Sequence, residues 1–194
     1  MNLIRFALVL LSAFPLFSTL LLGYQLFRNG QGAMGKPAIV PWLFFSAKIT
    51  VAVLFAVLLA ASLKPGLFLW FPWLIQNEVP AVQQLMSVLL LLAGNLFLIP
   101  AYFTMSIFTR VGLPNSPHVI KTGGIYRITR NPMYLSFWFF FTACFLLVPS
   151  MLIAAPAFFC TVIHHFIILS EEQYMTGHFN DQYSDYKRHV PRYL

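Results

Sequence analysis

Five long apolar stretches, joined by polar or proline- and glycine-containing connections, set the pattern of this sequence. Each is near the ~20 residues that a helix needs to cross the hydrocarbon of a bilayer. The pattern therefore predicts an all-α integral membrane protein with about five transmembrane helices. The stretches are Phe6–Phe27, Trp42–Leu63, Val82–Phe103, Pro132–Val148 and Met151–Leu169.

The connections and the C-terminal region predict how these helices are arranged. Only Pro149-Ser150 separates the fourth and fifth stretches, which indicates a tight helical hairpin. Apolar residues then recur at helical spacing from Phe179 to Val190, which indicates a C-terminal interfacial helix. We expect one membrane domain over residues 1–194, with a three-helix part at 1–105. The first apolar run is long for a signal peptide and lacks a cleavage pattern, so we expect a retained helix.

The composition excludes a soluble globular domain. Hydrophobic residues make up 59% of the chain and charged residues only 9%, whereas soluble domains carry about 25% charged residues. The net charge of +7 reflects a scarcity of acids, and we attribute it to a membrane surface and not to nucleic acid binding. The two cysteines, Cys144 and Cys160, lie in apolar stretches and are expected to be core residues.

Basic residues are distributed unequally between the two sides of the predicted bundle. The first connection, the third connection and the C-terminus share one side, and the positive-inside rule places that side in the cytoplasm and the N-terminus outside. Lys48, within the second stretch, is ambiguous. Arg5 and Lys64 lie on the outer side, and the cytoplasmic side carries Arg28, Lys36, Arg110, Lys121, Arg127, Arg130, Lys187, Arg188 and Arg192.

Two polar segments on the predicted cytoplasmic side flank the hairpin and should therefore lie close together. In the first, His118–Tyr134, Asn131 and Pro132 are typical of a helix start, with Asn131 as the N-cap. Free N–H groups at a helix start, beside Arg127 and Arg130, suit a ligand carboxylate. An ordinary cap in a basic loop is the alternative interpretation.

The second polar segment opens with Glu171 and Glu172, directly after an apolar helix that contains His164 and His165. Residues seven apart share a helix face, so each histidine lies above one glutamate. Acids at a helix C-terminus are unfavourable without a compensating cation, which a ligand or an arginine would supply. An exposed pair at the membrane boundary is the alternative. The spacing matches no metal-binding motif, so we expect no metal site.

In combination, these residues resemble a known family. The resemblance is to the isoprenylcysteine carboxyl methyltransferases and to the wider group of membrane phospholipid methyltransferases, and it covers about His118 to Leu194. The residues that carry it are Gly124, Tyr126, Arg130-Asn131-Pro132, Tyr134, Glu171-Glu172, Tyr183, Tyr186 and Val190-Pro191-Arg192.

The resemblance implies methyl transfer from cytoplasmic S-adenosylmethionine, held by a catalytic part at residues 106–194, to a lipid-bearing acceptor that enters from the bilayer. The favoured acceptor is the carboxylate of a prenylated cysteine, and phospholipid N-methylation is the alternative. Arg130 would position an anionic group, and Glu172 or a histidine would assist as a base if the acceptor is an amine. The implied cofactor contacts are His118, Val119, Ile120, Lys121, Tyr126, Asn131, Pro132, Met133, Tyr134 and Glu171.

Two positions depart from the family pattern, and they leave the acceptor open. Many relatives have His in place of Asn131, and the eukaryotic enzymes have an acceptor-binding Arg in place of Ile167. Two other classes stand as alternatives. Membrane sterol reductases share parts of the pattern and use NADPH, but they have more helices. A small transporter or scaffold subunit would be favoured by inverted repeats or by ionisable residues at mid-membrane.

Overall fold

Five α-helices account for most of the chain in a computed structural model, which describes residues 3–30, 35–71, 78–105, 112–113 and 119–194. Short 3-10 helices lie at Pro65–Trp70 and Gly124–Arg127. Within the described ranges, extended pairing is limited to an isolated bridge between Lys36 and Leu113. The predicted all-α class is therefore confirmed. The helices are α1 (Leu3–Arg28), α2 (Pro41–Leu63), α3 (Ala81–Met105), α4 (Pro132–Leu147) and α5 (Met151–His189).

The helices have the length and surface of a membrane bundle. By length and composition, α1, α2, α3 and α5 are able to cross a membrane. With 16 residues, α4 is about 24 Å long, which is shorter than the ~30 Å hydrocarbon core. Large apolar side chains such as Phe17, Leu20 and Phe158 are exposed on the outside of the bundle, where lipid would cover them.

The core forms where α3 packs on α4 and α1, while α2 packs on α5, α1 and α4. The closest approach of α3 and α4 depends on Gly94. A Cβ at this position would lie 2.5 Å from Cε1 of Phe140, whose side chain is fully buried. The missing side chain thus lets the ring of α4 pack directly on the backbone of α3.

The turn between α4 and α5 is as tight as the sequence predicts. Helix α4 ends at Leu147 and α5 begins at Met151. The Ser150 hydroxyl accepts a hydrogen bond from the backbone N–H of Leu152 at 3.3 Å, so Ser150 is the N-cap of α5. The hairpin brings the start of α4 and the middle of α5 to the same end of the bundle.

Helix α5 corrects one boundary in the sequence prediction. The helix does not end near Leu169 but continues through the two glutamates to Asn180, whose φ of 44° and ψ of −117° are not helical. The predicted interfacial helix is the part of α5 after this break, and its Tyr183 and Tyr186 pack around Ile120. The helix continues past residue 169 because Glu171 and Glu172 find partners inside the fold.

Candidate functional site

Glu172 is the centre of a buried ion cluster, with only 4% of its surface exposed. Its Oε1 lies 3.3 Å from Arg130 Nη2 and accepts a hydrogen bond from Asn131 Nδ2 at 3.2 Å. Its Oε2 accepts from Arg192 Nε at 3.2 Å and Nη2 at 3.0 Å. Two cations on one buried carboxylate satisfy its hydrogen-bonding capacity and offset the cost of desolvation. The hydrogen bond to Glu172 also raises the pKa of Arg192.

The tail after α5 folds back onto the segment before α4. The carbonyl of Pro191 accepts from the Arg130 backbone N–H at 3.0 Å, and the carbonyl of Arg192 accepts from Thr129 Oγ1 at 3.0 Å. Tyr193 is held by His165, whose Nδ1 lies 2.6 Å from the tyrosine hydroxyl. The two polar segments are therefore in direct contact, as the hairpin predicts.

Asn131 occupies the N-cap position of α4, but its side chain does not cap the helix. The amide instead donates to Glu172 Oε1 and to the Arg192 carbonyl, each at 3.2 Å. The expectation of an asparagine cap was therefore wrong, because the side chain is turned so that its Nδ2 reaches Glu172 and Arg192, and its oxygen does not cap the helix. Pro132 lies at the first helical position, as expected. The N–H groups of the first turn are left without a side-chain partner.

Glu171 belongs to a second cluster, which reaches across to α2. The hydroxyl of Tyr134 donates to Glu171 Oε1 at 2.8 Å. Lys48 Nζ lies 5.5 Å from the centre of the Tyr134 ring and 3.4 Å from His164 Nε2. Lys48 and Glu171 are close enough to interact electrostatically. The cluster thus combines a carboxylate, a phenol, an imidazole and an ammonium group.

Two side chains near the start of α4 carry buried polar atoms without a hydrogen-bond partner among the described residues. These atoms are Nε and Nη1 of Arg130 and the hydroxyl of Tyr126. Burial raises the pKa of Tyr126 well above its ordinary value, so its hydroxyl stays protonated and available as a donor. Orphaned polar atoms are rare in protein interiors, and these donors are therefore available to a ligand.

The 3-10 helix at Gly124–Arg127 holds Tyr126 in this place. Gly124 has a φ of 59°, a left-handed conformation that glycine adopts at little cost. The carbonyl of Tyr126 accepts a hydrogen bond from the Tyr186 hydroxyl at 2.6 Å. The second part of α5 therefore anchors the backbone of Tyr126 while leaving its phenol unpaired.

The remaining predicted contact residues are spread more widely. Val119 is exposed and Ile120 is buried against the second part of α5, whereas Met133 packs against the main core. Lys121 is half-buried. His118 lies outside the described residues. The structure thus brings Arg130, Asn131 and Tyr134 into direct contact with the two glutamates.

Three side chains of these clusters were not assigned a site role from the sequence. Arg192 binds Glu172, and Lys48 and His164 lie beside Tyr134. In the sequence, the terminal Val-Pro-Arg element was the available signal for Arg192. The single charge within the second apolar stretch was the available signal for Lys48. Among the described residues, no group of three or more His, Cys, Asp or Glu is placed to hold a metal ion.

A groove of about 200 Å³ opens between α1 and α3 on the outside of the bundle. Its Tyr102 interacts electrostatically with Tyr126, so the groove lies on the side of α3 that approaches the site. The residues that line it are Phe14, Phe17, Ser18, Leu21, Leu22, Gln25, Ile99, Tyr102 and Phe103.

The fold and the polar clusters define a multi-pass membrane protein with a charged site at one end of α4. Comparison with known families sharpens this description, because the family model described as phospholipid methyltransferase matches residues 82–182. The chain belongs to this family of membrane methyltransferases, the group that includes the isoprenylcysteine carboxyl methyltransferase-like proteins. The resemblance recognised in the sequence is therefore confirmed. Neither a curated protein nor a solved structure matches the chain.

Proposed function

We propose that the protein uses S-adenosylmethionine to methylate a lipid-bearing acceptor at the membrane surface. Family membership supports methyl transfer. The observation that carries the proposal is the set of buried donors on Arg130 and Tyr126 that have no hydrogen-bond partner among the described residues. Tyr126 also interacts electrostatically with Glu171 of α5. An anion-binding group and an acidic group in one place match the carboxylate and the ammonium of an amino acid.

Each chemical group of S-adenosylmethionine has a suitable partner among these residues. Arg130 and the first-turn N–H groups of Met133 and Tyr134, which follow Pro132 in α4, suit its carboxylate. Glu171 suits its ammonium or ribose hydroxyls, and the rings of Tyr126 and Tyr134 suit its adenine or sulfonium. S-adenosylmethionine, when bound, supplies an electrophilic methyl group. The protein's part is to bind and orient the reactants and to exclude water.

The role of Glu172 follows from its partners. Both of its oxygens accept hydrogen bonds from charged or amide donors, so the lone pairs of this carboxylate are already engaged within the fold. We propose that Glu172 is a positioning residue, which fixes Arg130 through the 3.3 Å ion pair. Arg130 is then the residue that positions an anionic group.

The engagement of both Glu172 oxygens bears on the acceptor, because a carboxylate held by Arg130, Asn131 and Arg192 is not free to take up a proton. A carboxylate acceptor is already a nucleophile and has no proton to lose, whereas an ammonium acceptor must first be deprotonated. We therefore place the carboxylate of a prenylated cysteine first. Phospholipid N-methylation is the second candidate, and the description of the matched family supports it. Either acceptor would enter from the bilayer, and the groove between α1 and α3 is a lipid-accessible approach.

The proposed location follows from charge. The basic connections and tail support a cytoplasmic location for the start of α4, the glutamates and the C-terminus, with the N-terminus outside. A cytosolic methyl donor would then reach residues 106–194 directly, while residues 1–105 would supply most of the lipid-facing wall.

Binding of S-adenosylmethionine to the purified full chain tests the proposal. Isothermal titration calorimetry should show binding by the wild type, and Glu171→Ala should weaken it at least about tenfold. Asp181→Ala, which removes an exposed acid from the same helix, should bind like the wild type. A wild-type protein that does not bind S-adenosylmethionine contradicts the proposal. Incubation with labelled donor and either a prenylcysteine analogue or phosphatidylethanolamine then separates the two acceptor classes.

A further inference from the structure

Lys48 is a charged residue within a membrane-spanning helix. It lies in α2, about two turns after the helix begins at Pro41, and its side chain is half-buried. A charge inside a membrane span is costly and generally marks a functional site or a partner of opposite charge. The contacts of Lys48 show what such a partner would be.

The hydrogen-bonding partners of His164 determine how Lys48 is bound. His164 Nδ1 lies 2.7 Å from the Cys160 carbonyl, which only accepts, so Nδ1 carries the hydrogen. The unprotonated Nε2 then accepts from Lys48 Nζ at 3.4 Å. An ammonium group has three donors, and this contact uses one of them.

The protein supplies no direct ion-pair partner for Lys48. All five acidic residues lie within the described residues, and the ion pairs formed there do not include Lys48. Glu171 is the acidic residue that acts electrostatically on it, but its Oε1 accepts from Tyr134. The rings of Phe44 and Tyr134 flank the ammonium at 5.2 and 5.5 Å. Lys48 is thus held in place with donors left over.

We propose that Lys48, supported by His164 and Tyr134, binds an anionic group of the methyl acceptor, either a carboxylate or a lipid phosphate. This inference rests on the proposed function and names the acceptor's charge. A sulfonium donor would bring positive charge to a site that already contains Lys48 and Arg130. An anionic acceptor balances that charge. Lys48 belongs to α2 and contacts the ring of Tyr134 and the imidazole of His164, whereas Arg130 is bound to Glu172.

The experiment measures acceptor binding, independent of turnover, in the full chain reconstituted in nanodiscs. The probes are N-acetyl-S-farnesylcysteine and its uncharged carboxamide, and phosphatidylethanolamine compared with diacylglycerol. In one pair, the wild type should bind the member that carries the carboxylate or the phosphate more tightly than the member that lacks it. Lys48→Met should remove that preference, with about a tenfold loss for the anionic probe, and Lys48→Arg should retain most of it. The probe pair in which Lys48→Met removes the preference shows whether the bound anion is a carboxylate or a phosphate.

Binding of S-adenosylmethionine in the same preparations provides the second readout. Lys48→Met should weaken donor binding by much less than the roughly tenfold loss for the anionic probe, although Lys48 borders Tyr134 and acts on Glu171. A loss of donor binding as large as the loss of acceptor binding would overturn the inference by placing Lys48 in the donor site. Unchanged discrimination between anionic and neutral probes in Lys48→Met would also overturn it. If the wild type binds no S-adenosylmethionine, the proposed function fails, whereas the probe comparison still reports on the anion site. Lys48→Gln, a polar replacement, serves if Lys48→Met does not fold.

Discussion

Arg192 Nη2 lies 3.0 Å from Glu172 Oε2, and this contact ties the C-terminal tail to the middle of α5. The other oxygen of Glu172 binds Arg130 at the start of α4. One buried carboxylate therefore joins three segments that surround the proposed donor site. The shape of that site depends on the tail, although the family match ends at residue 182.

Neutralising Glu172 should destabilise the protein. In Glu172→Gln the shape is kept, but Arg130, with 7% of its side chain exposed, is left as an uncompensated buried charge. Breaking a buried ion pair in this way costs roughly 3 kcal/mol. Unfolding in detergent, followed by circular dichroism, measures the loss. Asp185→Asn removes an exposed pair with His189 and should change stability by less than about 1 kcal/mol. Equal effects of the two substitutions would contradict the central role of Glu172.

Removing the hydroxyl of Tyr193 should loosen the tail without unfolding the bundle. Tyr193→Phe loses the 2.6 Å contact with His165 but keeps the ring against Trp138, 4.6 Å away between centroids. The expected cost is about 1 kcal/mol, and hydrogen exchange should increase in the tail alone. Tyr193→Ala also loses the ring packing and should have a larger effect. Exchange that increases equally along α1 would show that the tail is not the affected unit.

Tyr134→Phe tests whether Tyr134 orients Glu171. The substitution removes the 2.8 Å hydrogen bond to Glu171 and keeps the aromatic ring. A carboxylate that is free to rotate should bind S-adenosylmethionine about tenfold more weakly, as measured by calorimetry. Tyr24→Phe removes a hydroxyl from an exposed tyrosine on α1 and should leave the affinity unchanged. Full affinity in Tyr134→Phe would mean that Glu171 does not need this hydrogen bond.

Gly94→Ala should disturb the packing of α3 on α4. The new Cβ would lie 2.5 Å from the buried ring of Phe140, so either the ring or a helix must shift. Overpacking of this kind costs about 1–3 kcal/mol. Gly23→Ala in α1 has nothing within 4 Å of the added carbon and should be neutral or slightly stabilising, because alanine favours helix. Thermal unfolding of the two variants in the same detergent compares them directly.

The order and length of the helices could be predicted from the sequence, because they depend on local hydrophobicity. A bilayer accepts backbone only when its hydrogen bonds are satisfied within the segment, so each long apolar run becomes a helix. The five predicted stretches correspond to α1–α5, and Pro149-Ser150 forms the expected hairpin. The residues that carried the family resemblance were also sufficient to recognise the methyltransferase family.

Hydrogen-bond partners could not be predicted in the same way, because they depend on how the helices pack. The sequence indicated a cap for Asn131 and a helix end before Glu171, and both expectations follow from local rules. In the folded chain, Asn131 turns to Glu172, and α5 continues because its two glutamates are bound by Tyr134, Arg130 and Arg192. Long-range partners are worth more here than the local preference.

The sequence by itself thus determined a membrane bundle, the two polar segments that flank its hairpin, and a family of methyltransferases. Tertiary structure alone decided which glutamate is tied to arginines and which faces Tyr134, and it brought Lys48 from α2 to His164 on α5. The physical reason is that hydrophobicity and turn chemistry act over a few residues. Ion pairs and hydrogen bonds join residues 20 or 116 positions apart, and only the packing of the helices brings such residues together.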